Sequence, residues 1–167
     1  EHPIGTLRLG GTADALGFLE GRLKIGEAKA PPIIREVKRH LDREILNIID
    51  APPGNSCPVV EAMKASDYIL LVTEPTPFGF HDLRMTFDVV RDTGIPFGLV
   101  VNKAGVGTRD VYDFCDEHDI PIHLEIPFRQ DLAKTYAAGL MWIEHFPELK
   151  QSFSDLLDQL IKGGEQK

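Results

Sequence analysis

Residues 45–60 read ILNIIDAPPGNSCPVV: an apolar run closes on Asp50, and Pro52, Pro53 and Gly54 follow at once. A carboxylate at the tip of a buried strand is the kind of oxygen ligand a hard cation such as Mg²⁺ takes while keeping several of its waters. The turn after it has chemistry of its own. Pro52 and Pro53 fix φ and donate no N–H, whereas Gly54 lets backbone approach an anion and offers its own N–H. On these residues alone two readings of Asp50 are open: an ion-organising carboxylate, or a strand-ending turn residue. Three more chemically distinct strand ends follow, at Glu74, Asn102 and Pro127. In an open parallel sheet such termini form one rim outside the carboxyl ends of the strands, where ligands collect.

The elements that must carry this rim are legible as four runs rich in Ile, Leu and Val: ILNIID (45–50), YILLVTE (68–74), FGLVVNK (97–103) and IHLEIP (122–127). They are nearly continuous in apolarity rather than alternating, as strands covered on both faces are. Helical patterns lie between them. Residues 79–94 direct Leu83, Phe87, Val90 and Met85 to one side and stop at Gly94; residues 108–119 do the same with Val111, Phe114 and Cys115, with Thr108 as N-cap. Strand, helix, strand in this rhythm predicts an α/β fold with a mainly parallel sheet flanked by helices.

The ends differ from the middle. Residues 4–26 hold six glycines and two stretches, TLRL and GRLKI, that can pair as a hairpin. A helix entered through Pro31 and Pro32 is expected over 30–45, with Ile34, Val37 and Leu41 on one side. A last helix, 148–163, carries Leu149, Phe153, Leu156, Leu157, Leu160 and Ile161 at helical spacing. Its polar face offers Asp155, Asp158 and Gln159 rather than Lys and Arg, so it is expected to dock on its own sheet and not on a membrane. The organisation expected is a glycine-rich hairpin and linker (1–29), the α/β domain (30–163) and a frayed tail (164–167).

At 167 residues the chain fits one domain, and its 43% hydrophobic and 26% charged residues are ordinary for a globular protein. A formal net charge of −8 disfavours a broad grip on nucleic acid or an anionic membrane. Cys57 and Cys115 are the two cysteines, and neither a CxxC nor a Cys/His ligand spacing occurs. Two reduced thiols in a cytoplasmic protein are expected. Cys57, three residues past the turn, is read as a small buried thiol.

Taken together, IIDAPPG, SDYILLVTEPTPFGFHDL, GIPFGLVVNKAG and EIPF resemble the MinD/ParA-type P-loop ATPases of the signal-recognition and nitrogenase-iron-protein class. The likeness is strongest to the subgroup whose ATPase domain carries an inserted ferredoxin domain, and it runs over roughly residues 20 to 150. It implies ATP hydrolysis with Mg²⁺, used as a conformational switch at a dimer interface and coupled to an iron–sulfur protein or cluster. Carried over by residue, Asp50 would order Mg²⁺ through water together with the attacking water. The Gly54 amide would sense the γ-phosphate, Pro52 and Pro53 would shape the switch, and Asn102 would face the adenine edge. Pro127 and Phe128 would lie near the base. Asp131 is open between a place near the base and a charge in the first turn of a helix. Gly105 stands where related GTPases carry the aspartate that reads guanine, which favours adenine.

The match breaks at the family's defining element. No GxxxxGK[ST] string occurs, and LRLGGTADALG is followed by no Lys-Ser/Thr pair. Ferredoxin-type cysteine clusters are absent too; in the subgroup they lie upstream of the matching segment. The expectation is the carboxyl-terminal portion of a longer ATPase, with no nucleotide or cluster held tightly by this chain. Its partner would be the missing N-terminal half or a second copy. The alternative is a non-catalytic interaction platform. In this class the phosphate-loop strand lies between the strands ending at Asp50 and Glu74. Without it the sheet is expected to close by pairing ILNIID with YILLVTE, or to recruit a strand from residues 4–26 or from another copy.

Overall fold

The computed structural model describes residues 3–11 and 17–164; of the tail expected at 164–167, Gly164 ends the last helix and 165–167 lie outside the described residues. It comprises two compact units, Glu1–Lys64 and Ala65–Lys167.

In the first unit, β1 (Gly5–Gly11) and β2 (Gly17–Leu23) pair as the antiparallel hairpin the sequence predicts, Gly5 opposite Leu23 and Leu9 opposite Leu19. The hairpin lies against α1 (Pro31–Arg39) because Gly5 and Gly21 have no side chain there. A Cβ on Gly21 would sit 2.7 Å from Val37 Cγ2, and one on Gly5 would sit 2.5 Å from Ile33 Cδ1. A second helix, α2 (Cys57–Met63), follows the Pro-Pro-Gly turn. Two expectations fail between them. The helix ends at Arg39 instead of continuing to residue 45, and ILNIID is not a strand. Local hydrogen bonds capture this backbone: the Glu44 amide donates to Asp42 Oδ1, and Asn47 Nδ2 donates to the carbonyls of Asp42 and Ile45. No ladder partner among the described residues competes with them, so Ile45, Leu46 and Ile48 stay exposed, Ile48 at 84%.

The second unit alternates β3 (Ile69–Thr73), α3 (Pro77–Thr93), β4 (Phe97–Ala104), α4 (Asp110–Glu117) and β5 (Ile122–Pro127). It then runs into α5 (Gln130–Ala137), α6 (Trp142–His145) and α7 (Pro147–Gly164). The three strands form one parallel sheet in the order β3-β4-β5. Both faces are covered, which is why these strands read as unbroken apolar runs. Leu99 and Val101 pack with Leu83 and Phe87 of α3 and Val111 and Cys115 of α4. Val100, between them, points the other way and packs with Ile126, Leu132 of α5 and Leu149 and Leu156 of α7. The last helix thus docks on its own sheet, and among the described residues no helix is long and apolar enough to cross a membrane.

Helix ends in this unit follow from identifiable residues. Thr76 Oγ1 accepts from the Gly79 amide at the start of α3, and Gly94, at φ 69°, closes it in the left-handed conformation. Two side chains depart from expectation. Met85 is exposed rather than in the core, because at 3.6 residues per turn it faces away from the Leu83–Phe87–Val90 stripe. Thr108 does not cap α4; its hydroxyl donates to Asp110 Oδ2, and Arg109 holds the N-cap position. At the sheet's far edge, β3 pairs only with β4 among the described residues, so neither proposed closure by ILNIID nor recruitment of the hairpin occurs. Val72 in the middle of β3 is 65% exposed.

Candidate functional site at the strand ends

The carboxyl ends of β3, β4 and β5 meet in one rim, and two glycines bring its loops into contact. A Cβ on Gly79 would lie 2.2 Å from the Glu74 carbonyl oxygen, and one on Gly107 would lie 1.6 Å from that of Pro75. Only glycine fits either place. The 73–76 segment is further fixed by Thr73 Oγ1 donating to the Gly79 carbonyl (2.8 Å) and by the Thr108 amide donating to the Pro75 carbonyl (3.0 Å).

On this frame Asn102 is half-buried, and its Oδ1 accepts from the Lys103 amide at 3.0 Å. The carboxamide NH₂ is a further donor pair. Lys103 interrupts the ladder: Asn102 aligns with Ile126 and Ala104 with Pro127, so one extra residue is accommodated on β4, and Lys103 takes φ 55°. Its Nζ lies 2.8 Å from Glu74 Oε1. Pro127 and Phe128 are exposed, and the Phe128 amide donates to the Ala104 carbonyl at 3.0 Å. Asn102, Pro127 and Phe128, separated by some two dozen residues in sequence, are therefore brought to adjacent strand ends.

Arg129 orders the next turn. Its guanidinium grips both carboxylate oxygens of Asp131 (Nε 3.0 Å, Nη2 2.6 Å), donates to Glu148 Oε1 at 2.8 Å, and lies 4.9 Å from the centre of the Phe146 ring. The hydrogen bonds from Arg129 hold both carboxyls below their ordinary range and raise the guanidinium in turn. Asp131 is thus an anion at the start of α5 whose two oxygens both accept from Arg129. Trp142 packs beneath, donating to the Leu132 carbonyl at 2.9 Å.

The Asp-Ala-Pro-Pro-Gly segment, residues 50–54, belongs to the first unit. Asp50, Pro52, Pro53 and Gly54 are all exposed, Gly54 sits at φ 92°, and a Cβ there would meet nothing within 4 Å. Cys57, expected to be buried, is an exposed free thiol at the start of α2, while Cys115 is buried and free; burial pushes the Cys115 thiol up to about 11. The far end of α2 is capped by Lys38, whose Nζ donates to the carbonyls of Ala62 (2.7 Å), Glu61 (3.3 Å) and Lys64. Burial lowers the Lys38 pKa, with Glu61 opposing the shift. Among the described residues no group of three or more His, Cys, Asp or Glu side chains is placed to hold a metal. A lone exposed carboxylate at Asp50 suits a water-mediated contact with Mg²⁺ and not an all-protein site.

Sequence reasoning placed Glu74 on this rim but missed its pairing with Lys103, and it missed Arg129. The first two are linked by a bulge that leaves no mark in a string of residue types. For Arg129 the signal was present in the run Arg-Gln-Asp but pointed only to a helix start.

No family model matches the chain. Two uncharacterized proteins of Methanocaldococcus jannaschii are similar to it: one is 30% identical over 149 residues, covering 87% of this chain and 51% of that protein. The other is 28% identical over 142 residues, covering 84% and 49%. The chain thus spans about half the length of the curated relatives it matches. Among solved structures, the cell division ATPase MinD of Pyrococcus furiosus superimposes with a TM-score of 0.63 at 26% identity, over 80% of this chain and 59% of that one. The chain has a MinD-like α/β fold.

Proposed function

We propose that this chain supplies the base-side and switch parts of a MinD-like ATPase site whose phosphate-binding part lies on another polypeptide segment. The observation that carries the reading is the rim itself. Asn102 and Phe128 meet at adjacent strand ends of a MinD-like sheet, on the side where open parallel sheets bind ligands. Asn102 would present its NH₂ to an acceptor on the adenine edge, with Pro127 and the exposed Phe128 ring flanking the base. In the switch, Asp50 would hold a water of the Mg²⁺ shell, and the Gly54 N–H would donate to a terminal phosphate oxygen. Mg²⁺ when bound would supply charge neutralisation on the phosphates, the larger part of what catalysis of phosphoryl transfer needs.

The residues present fit half of that assignment. No GxxxxGK[ST] phosphate-loop string exists in this sequence, so the chain by itself is not expected to hydrolyse ATP. Among the described residues one edge of β3 pairs with no strand, and with Val72 exposed in its middle it would suit a strand from the phosphate-binding segment proposed, since a parallel strand left open presents a row of free N–H and C=O groups. Coupling to an iron–sulfur protein, assembly as a homodimer and a cytoplasmic site of action belong to the same proposal and rest on the resemblance of DAPPGNSCPVVEA and VTEPTPFG.

Calorimetric titration of ADP with Mg²⁺ tests the reading, on this chain and on this chain joined to an upstream segment carrying a phosphate loop. Binding by the joined protein alone, lost in Asn102→Ala, is the expected outcome. No binding by either, with both folded, would replace the ATPase reading with that of a non-catalytic α/β interaction platform.

A further inference from the structure

Glu74 has no role in the function proposed above, yet its surroundings are closely determined. Its backbone is pinned from one side by Gly79, where a Cβ would lie 2.2 Å from the Glu74 carbonyl oxygen and 3.0 Å from its nitrogen. The next residue, Pro75, is pinned by Gly107 and by the Thr108 amide. From this fixed post the carboxylate reaches Lys103 Nζ at 2.8 Å. Lys103 is the extra residue of the β4 bulge and stands at φ 55°, a left-handed conformation that a lysine adopts only when its surroundings hold it there. Bulges re-aim the residues beside them. Here those residues are Asn102, whose Oδ1 is anchored to the Lys103 amide, and Ala104, whose carbonyl holds the Phe128 amide.

We propose that Glu74 is a positioning residue: acting through Lys103, it fixes the bulged end of β4 and thereby sets Asn102 and Phe128 for the base. The proposal deepens the nucleotide reading and rests on it for its purpose, whereas the mechanical part stands on this geometry alone. Glu74 touches neither base nor phosphate in this scheme. If the pair serves to hold a strained residue, a glycine at 103, which occupies the left-handed region without strain, makes Glu74 dispensable.

That dependence defines the experiment. Amide hydrogen exchange is measured on the 167-residue chain and on Glu74→Gln, Lys103→Gly and the double variant, with Leu99 and Val101 as core controls. Glu74→Gln is expected to lower protection of the Phe128 amide by about fivefold, the upper end for a half-exposed ion pair, and to leave the controls unchanged. In the Lys103→Gly background the same substitution is expected to have no effect. An unchanged Phe128 amide in Glu74→Gln, an equal loss in the glycine background, or a matching loss at Leu99 and Val101 would each overturn the proposal. ADP titration of the same variants in the joined protein then addresses the purpose. Weaker binding in Glu74→Gln, recovered in the double variant, is expected. Absence of ADP binding by the unsubstituted joined protein would remove the nucleotide reading and leave the exchange result to judge the latch.

Discussion

Asp131 and Glu148 both direct their carboxylates to one guanidinium, and that sharing has a pH signature. Each carboxyl is held below its ordinary value, 3.8 and 4.5 respectively, by hydrogen bonds from Arg129. A carboxyl whose pKa falls on folding contributes stability that is fully present above its unfolded value and lost as the pH drops through the lowered one. Arg129→Ala is therefore expected to lower the urea midpoint at neutral pH, and the difference from the parent protein should shrink below pH 4.5 and vanish once both carboxyls are protonated in either state. Unfolding followed through Trp142, the single tryptophan, checks this within the second unit. A difference that persisted undiminished into acid would assign the loss to the packing of Arg129 on Phe146 instead. At this scale the sequence showed which residue types stood near the strand ends. Which of them were already committed to one another was hidden: Asp131 and Arg129 are near neighbours in the chain, whereas Glu148 comes to Arg129 only through the turn from α6 into α7.

Elements here are positioned as much by what is absent from a residue as by what is present. Gly107 and Gly54 both occupy positive φ, at 80° and 92°, yet a side chain would meet the Pro75 carbonyl at the first and open space at the second. Gly107→Ala is expected to destabilise the second unit by about 3 kcal/mol, strain and collision together. Gly54→Ala bears the conformational term alone, about 1–2 kcal/mol. Urea unfolding with Trp142 fluorescence for the first and circular dichroism for the second measures both, and equal costs would show that the loops flanking Gly107 yield. The second unit's elements were readable because each obeys a local rule: an apolar stripe and a Gly stop for α3, two-faced burial for β4, a one-sided stripe for α7. ILNIID obeyed the same apolar rule as the other strands and is not one, because a strand is a relation between two segments. Without a partner, the Asp42 and Asn47 side chains offer its backbone nearer hydrogen bonds.

For the whole molecule, the open edge of β3 is the feature with the largest consequence. If a strand of the proposed phosphate-binding segment pairs there, Val72 becomes buried between strands that helices cover on both faces. Val72→Lys should then prevent this chain from associating with a separately produced upstream segment, while changing the Trp142 unfolding transition of the chain alone by less than about 0.5 kcal/mol. Size-exclusion chromatography of the mixed segments reads the first outcome, and unimpaired association of the variant would place that segment elsewhere. The sequence by itself determined the alternation of strands and helices in residues 65–164, the hairpin before them, the Leu83–Phe87–Val90 side of α3, the Leu149–Leu156 side of α7 without Leu157 and Ile161, and the resemblance to MinD-type ATPases. All of these follow from local periodicity, from caps, or from strings specific enough to stand alone. Only the tertiary structure decided that ILNIID lacks a strand partner, that Lys103 is the bulged residue held by Glu74, and that Arg129 takes up the charge of Asp131. Each of those is settled by which distant group arrives within hydrogen-bonding distance, and that depends on how the chain closes on itself and not on the order of its residues along any one segment.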